Sequence, residues 1–531
     1  MVDKKSRSAR SNRRKFLTLT AAGLGSALAG CAGGDGGGGD GGDGGGGDGG
    51  DGGGGDGGGG GADTETEMGD GGGGGATSTE ESDSLAGVEI DYWNIENVQS
   101  AAARKTYVEK VRQFEQDTGV RVSLNLSGYS QLSGQKWIEA WRNDDYPVVF
   151  DCEDFYFGRM FATGKVLPAA EYQDQLPDSY WDNIQWSMPI SQDSYRFWDV
   201  PDPGIINIPV AMGPRNGINA RTDLLEQAGY SMDDIPMGTD SGQNYEDLMS
   251  MAVDVQENSD ADFGFQTFGV RFDYNDILNM WIASEDPSTS RYINEEGTAT
   301  NYSTDMWKKW FGRYVDVQHE HGVTAPNSAS VSDEATTQQM IGGNVAISMV
   351  EWLNYPTFRD RAPDMSANGD IQWTPMWPGE SDAGGQLGFH NYGLNRKPPN
   401  VDQQRWDRKI QAGVKMMQTF LQEDFQTEYP SFVGFFSVMQ NMWDKTSVQY
   451  DDALNYTSSA FEMAPKMEVG WPYHLFGSSI LFNVTGPLIQ QGMRQELGPE
   501  ETMNRIASEN DGLIEDANSQ LGDPGTWSIS G

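Results

Sequence analysis

Between residues 32 and 87 the chain has almost nothing to bury. The stretch is built from Gly and Asp, as in Gly-Gly-Asp-Gly-Gly-Gly-Gly-Asp, and then runs into Ser, Thr and Glu. Without apolar side chains, the entropy lost on ordering such a backbone is never recovered. Gly-rich chains are flexible coils, and mutually repelling aspartates extend this one further. The reading is a disordered linker over 31–87, so any fold must come from the 444 residues that begin at Val88. That length supports a large core and suggests two or three domains.

Ahead of the linker lies an export signal. Lys4, Lys5, Arg7, Arg10, Arg13, Arg14 and Lys15 form a positive start, followed by an apolar run from Phe16 to Ala29. A charged start, a short apolar stretch and small residues at a cleavage point make a secretory signal peptide, too short to remain as a membrane span. The run Ser-Asn-Arg13-Arg14-Lys-Phe-Leu resembles the twin-arginine type. Leu28-Ala29-Gly30-Cys31 resembles a lipobox, which makes Cys31 the lipidated first residue of the mature chain. The expectation is a protein anchored by lipid to the extracellular face of the cell membrane, with the linker as its leash. A single acyl chain binds membranes only marginally, so stable anchoring requires more than one chain or a second signal.

Charge excludes several partners. The formal net charge is −43, and removing residues 1–30, with seven Lys/Arg and one Asp, leaves about −49. Acid is spread along the whole chain rather than gathered in a tail, as on a halophile surface, where molar salt shortens the Debye length and removes the self-repulsion. Nucleic-acid binding needs clustered Lys and Arg and is not expected; the same charge argues against long-range capture of anionic solutes. With Cys31 lipidated, Cys152 has no partner, so the folded part is read without disulfides. Four sequons, at Asn125, Asn301, Asn455 and Asn483, are permitted glycosylation sites in an exported protein.

Short strand-like runs alternate with helical patterns, which argues for an α/β fold. Val88 to Trp93 alternates as a first strand, and Ala102 to Thr118 carries Tyr107, Val108, Val111 and Phe114 on one helical face. Gly119 ends that helix, and Val120 to Leu126 alternates as a second strand. Pro147 to Phe150, Gly204 to Met212 and Asn344 to Val350 read as further buried strands.

These segments, in order, resemble the extracellular solute-binding proteins of family 1, the sugar-binding lipoproteins of ABC transporters, in a haloarchaeal form. Phe114-Glu-Gln-Asp-Thr-Gly-Val-Arg-Val resembles the family's opening, Asp145-Tyr-Pro-Val-Val-Phe-Asp its next strand, and Phe157 to Pro168 its helix and "Gly-x-Leu" turn. Ile218-Asn-Ala-Arg-Thr-Asp-Leu-Leu225 is similar to the "Tyr-Asn-x-x-Leu-Leu" stretch, and Gln339 to Trp352 to the family's Gly-containing strand ending in Trp. Gln491 to Ile506 resembles its terminal helix–turn–helix. The sequence departs from the pattern at Val148-Val149 and at Ile218, and carries extra length near 170–204 and 424–470.

The resemblance implies a two-lobed, periplasmic-binding-protein-like (type II) α/β fold that closes on its ligand like a hinge. Crossings between lobes are expected near Pro209–Pro214, Trp373–Pro378 and Pro430–Gly434. The lobes would then comprise 88–208 plus about 376–430, and 209–375 plus about 431–520. Function would be capture of a sugar or oligosaccharide and its delivery to the permease subunits of an ABC importer, by a monomer, without cofactor, metal or catalysis.

The chain's 16 Trp, 20 Tyr and 22 Phe suit a sugar, whose apolar ring face takes an aromatic plate while Asp, Glu, Asn and Gln take its hydroxyls. Candidates in the first lobe are Trp93 and Asn94 after the first strand, and Asp151, Asp154 and Tyr156, with Glu153 between, after Phe150. The resemblance places a sugar-binding acid at Asp154 and the binding Trp at Trp352. The second lobe adds Asp273, Tyr274, Asn275, Glu351 and Tyr355; Phe389, His390 and Asn391 follow the second crossing, and Trp471 and Tyr473 lie near the last loop. Trp281, Trp307 and Trp310 sit in helical patterns and are expected in the core. His319 and His321 face apart on a helix end, which disfavours a metal. The chain has no Gly-x-Ser-x-Gly, His-Glu-x-x-His or phosphate loop. Abundant carboxylates leave a second reading open, an exported glycoside hydrolase.

Overall fold

A computed structural model of the chain describes residues 85–94, 101–126, 135–152, 154–200, 204–215, 217–270, 273–350, 354–377, 379, 386–433, 435–445, 464–466, 468–469 and 473–529. The signal segment, Cys31 and the linker lie outside the described residues. All that follows concerns the unit that begins at Leu85.

Two sheets organise it. The larger has the order β12-β6-β11-β3-β1-β2, with β4 and β13 also on β11. Its members are β1 (Glu89–Asn94), β2 (Arg121–Leu126), β3 (Val149–Cys152), β4 (Val166–Leu167), β6 (Ile208–Arg215), β11 (Gln386–Asn395), β12 (Phe436–Ser437) and β13 (Glu468–Val469). The smaller has the order β10-β7-β9-β8, from β7 (Gly217–Arg221), β8 (Phe263–Gln266), β9 (Val345–Ser348) and β10 (Ile371–Pro375). β1 runs parallel to β2 and β3, joined by crossover helices, as parallel pairs require. β11 is antiparallel to both β3 and β6 and closes the larger sheet through its middle.

The helix Ala101–Thr118 forms where the sequence places it, with Tyr107, Val111 and Phe114 buried along one face. β1, β2, β3, β6 and β9 likewise lie on or beside the apolar runs read as strands. In the second lobe Trp281, Trp307 and Trp310 are all fully buried. Trp281 packs with Tyr245 and Trp310 at centroid distances of 5.3 and 5.8 Å. Burying each such side chain stabilises the fold by about 1.5–3 kcal/mol before entropy is counted.

The chain passes from the larger sheet to the smaller between Arg215 and Gly217, and back between Pro375 and Gln386. The third passage lies further along than the sequence placed it. At Pro430 the chain is still in the first lobe: the helix Glu423–Val433 packs on Ala101–Thr118, and β12 pairs with β6. Tyr473 still hydrogen-bonds the first lobe, its N–H donating to the Ser194 carbonyl at 2.8 Å. The chain then enters the π-helical turn Ser479–Thr485, which runs into the helix Gly486–Met493 packed on the long helix Pro499–Leu521. Pro430, which in sequence marks a crossing, lies within that first-lobe helix instead.

The extra length near 170–204 is not bare loop. It holds the short helices Asp178–Asn183 and Met188–Ser194 and a strand, β5 (Trp198–Asp199). β5 pairs with β14 (Trp527–Ser528), which returns the C-terminal segment to the first lobe. Asp193 on that insert receives Arg196 and, at 2.9 Å, Arg291 of the second lobe, an ion pair between the lobes.

Candidate functional site

In open α/β sheets, ligands bind beyond the carboxyl ends of the parallel strands. In the larger sheet those ends are Asn94 on β1 and Asp151 on β3, directly opposite each other in the register. Both are fully buried. The Asn94 amide lies within hydrogen-bond reach of Asp151 Oδ2 (3.2 Å), the Tyr92 hydroxyl (2.7 Å) and the Tyr107 hydroxyl (2.9 Å). An amide has two N–H groups, so it serves two of these at a time. Across the sheet, His390 Nδ1 on β11 stands 3.6 Å from Asp151 Oδ1. β11 has a register irregularity between His390 and Asn391, which rotates side chains locally. Five polar side chains thus gather under the strand ends, with Asp151 Oδ1 and His390 Nδ1 facing each other just beyond hydrogen-bond distance.

Asn391, also buried, donates to the Tyr473 hydroxyl at 3.1 Å. Tyr473 lies in an aromatic cluster with Phe157, Phe161 and Tyr195, at centroid distances of 5.1, 5.9 and 4.9 Å. Both residues lie in the interior of the first lobe. His474 beside it is fully buried, and burial pulls its ring down to about 3 from the usual 6.5, so it is neutral. Its Nδ1 accepts the Phe476 N–H at 3.1 Å.

Tyr156 stands at the third passage between lobes, and Trp93 at the end of β1. Trp93 is partly exposed at the end of β1, its ring edge-on to Trp141 at 6.4 Å. Tyr156, on the helix Asp154–Ala162 that follows β3, stacks on Phe482 of the π-helical turn at 6.3 Å. Two residues that the sequence did not single out accompany them. Arg142 ends the helix Gln135–Arg142, next to Trp141, and Arg159 shares a helix face with Tyr156. Arg159 donates to the Ser479 hydroxyl, and its guanidinium stands 5.9 Å over the Phe476 ring. Composition offered no signal for this pair, because arginines on helices are ordinarily solvated.

In the second lobe, Asp273 Oδ2 accepts the Asp333 N–H at 3.1 Å, and Asn354 donates to Asp333 Oδ2. All three are buried, so Asp273 anchors the start of the helix Asp333–Ile341. Tyr274 is fully buried, and its hydroxyl is pushed well above 10, first by burial and then by Tyr302. Asn275 is buried beside it. The structure therefore brings Asn94, Asp151 and His390 together, Asn391 with Tyr473, and Asp273 with Asp333 and Asn354. Glu153, Glu351, Trp352, Trp471 and the side chains of Asp154 and Tyr355 lie outside the described residues.

Among the described residues no group of three or more His, Cys, Asp or Glu is placed to hold a metal. His319 instead bonds the Met493 carbonyl at 2.8 Å, and His321 packs on Tyr245. No described helix is long and apolar enough to cross a membrane.

No protein-family model matches the sequence, and no curated protein matches it either. Solved structures do match. An ABC-transporter solute-binding protein from Thermotoga lettingae bound to α-D-tagatose aligns over 80% of this chain and 99% of its own, at 15% identity and a TM-score of 0.63. Maltose-bound MalE3 of T. maritima aligns over the same shares, with the same identity and TM-score. The GacH receptor of Streptomyces glaucescens, known with acarbose, aligns over 81% of this chain and 98% of its own at 14% identity and a TM-score of 0.62. At such identities the likeness establishes the architecture: a two-lobed α/β fold of the kind found in periplasmic sugar-binding proteins.

Proposed function

We propose that this protein is the capture component of a carbohydrate importer, binding a sugar or oligosaccharide between its two lobes and delivering it to ABC-transporter permease subunits without altering it. The observation that carries the reading is the fold itself, two α/β lobes joined by repeated chain passages, shared along nearly the full length of proteins described as binding tagatose, maltose and acarbose. Trp93, partly exposed at the end of β1, offers the kind of flat apolar face that sugar rings stack on. Closure on ligand is a population shift, limited by the ligand's preference for the closed form.

In this reading Cys31 carries the lipid and the Gly/Asp linker sets the reach, so that the lobes patrol the outer face of the membrane within range of the permease. Cys31→Ser releases the protein into the medium; full membrane retention of that variant removes the anchor from the account.

A melting screen of the purified chain in molar salt tests the central reading. One class of saccharide raises the midpoint and is recovered chemically intact. A panel without any stabilising sugar, or a sugar recovered cleaved, overturns it.

A further inference from the structure

The acid surplus of this chain makes a carboxylate partner easy to find, and several of its buried or half-buried cations find one. Arg221 pairs with Asp223 at 2.6 Å, Arg396 with Glu171 and Lys110 with Glu428 at 2.7 Å, and Arg196 and Arg291 share Asp193. Arg142 and Arg159 break the pattern. Among the described residues Arg142 makes no hydrogen bond and no ion pair, and its Nε and Nη2 are buried. Arg159 bonds the Ser479 hydroxyl, while its Nε is buried without a partner. The two charges are near enough to act on each other. Burial pulls the Arg159 guanidinium down to about 10; Tyr156 opposes that pull and Arg142 adds to it.

Buried guanidinium N–H groups left unsatisfied are costly, and a second like charge alongside adds to the cost. A protein with 79 acidic residues that keeps every one of its described carboxylates away from this pair leaves room for an anion from outside. The position fits. Arg159 lies on the helix that starts just beyond Asp151, and Arg142 adjoins Trp141, which packs on Trp93. Ser479 and Phe482 on the other side belong to the third passage between lobes.

We propose that Arg142 and Arg159 form an oxyanion subsite at the lobe junction, and that the captured carbohydrate carries a carboxylate or sulfate group. This rests on the carbohydrate-capture reading above. Guanidinium forks hold planar or tetrahedral oxyanions by paired, charge-assisted hydrogen bonds. The chain's overall negative field opposes long-range attraction of anions, so recognition here is short-range, and molar salt screens that field.

Calorimetric titration of the full chain with glucose, glucuronate, galactose 6-sulfate, trigalacturonate and sodium sulfate, at fixed ionic strength in a low-chloride salt, tests it. An acidic sugar binds at least tenfold more tightly than its neutral counterpart in the wild type. Arg142→Gln removes that preference and leaves the melting midpoint of the unliganded protein unchanged or higher, because no internal partner is lost; Arg142→Lys restores part of it. Neutral and acidic sugars binding equally, with Arg142→Gln changing neither, overturns the subsite and leaves carbohydrate capture standing. Sulfate binding that needs Arg142, with no sugar binding at all, keeps the subsite and overturns carbohydrate capture. Arg142→Gln lowering the unliganded midpoint overturns the subsite in favour of a structural role.

Discussion

The Asn94 amide and the Asp151 carboxylate meet across two adjacent parallel strands, 3.2 Å apart and fully buried. A buried carboxylate is tolerated only while donors face it, and Asn94 is the donor in its own register row. Asn94→Leu keeps the volume and removes the donor. It is expected to lower stability by about 2–4 kcal/mol, read from urea unfolding at constant high salt. A loss below about 0.5 kcal/mol would mean that the pair is not a structural element of the first lobe.

His474 makes a pH dependence. In the fold its ring is neutral down to about pH 3, while the unfolded ring titrates near 6.5. The unfolded chain therefore binds an extra proton between those values, and the residue's contribution to stability falls as pH drops through that window, by about 1.4 kcal/mol per unit. Above pH 6.5 it is constant. His474→Asn keeps an acceptor for the Phe476 N–H but does not titrate. The stability gap between wild type and variant should narrow steadily from pH 6.5 toward 4. A gap independent of pH over that range contradicts a neutral buried ring.

Gly158 is where the helix Asp154–Ala162 touches the segment that leads into the third passage. A Cβ there would lie 2.1 Å from the His474 carbonyl oxygen, a backbone atom with no easy retreat. Gly158→Ala is expected to cost about 3 kcal/mol or more by forcing the two segments apart. Gly312, inside the helix Asp305–His319, has nothing within 4 Å of its Cβ position. Gly312→Ala should instead gain about 0.5–1 kcal/mol. Thermal midpoints of the two variants, moving in opposite directions, check the assignment.

The α/β alternation, the first helix and most first-lobe strands were legible because their apolar residues repeat at periods of two or 3.6. β11 was not. Gln-Leu-Gly-Phe-His-Asn-Tyr-Gly-Leu-Asn carries two glycines and five polar side chains, and reads as loop, yet it sits between β3 and β6. Its Gly393 is required there because the Phe150 ring occupies the space a Cβ would fill, at 2.2 Å. Its Asn391 donates to Tyr473 and its His390 stands beside Asp151, neighbours distant in sequence that no periodicity reveals. The same long-range dependence explains the site. Strand-end position pointed to Asn94 and Asp151, and it could not tell an open donor from one already engaged inside a lobe. Arg142 and Arg159 escaped notice for the converse reason, since what marks them is the lack of a described carboxylate, a property of packing alone.

Closure of two lobes on a saccharide is the centre of the account, and small-angle scattering of the full chain, with and without a stabilising saccharide at saturation in molar salt, measures it most directly. The pair-distance distribution of the folded unit contracts when the sugar binds, with one sugar per chain by parallel titration. An unchanged distribution at full saturation would contradict capture between the lobes.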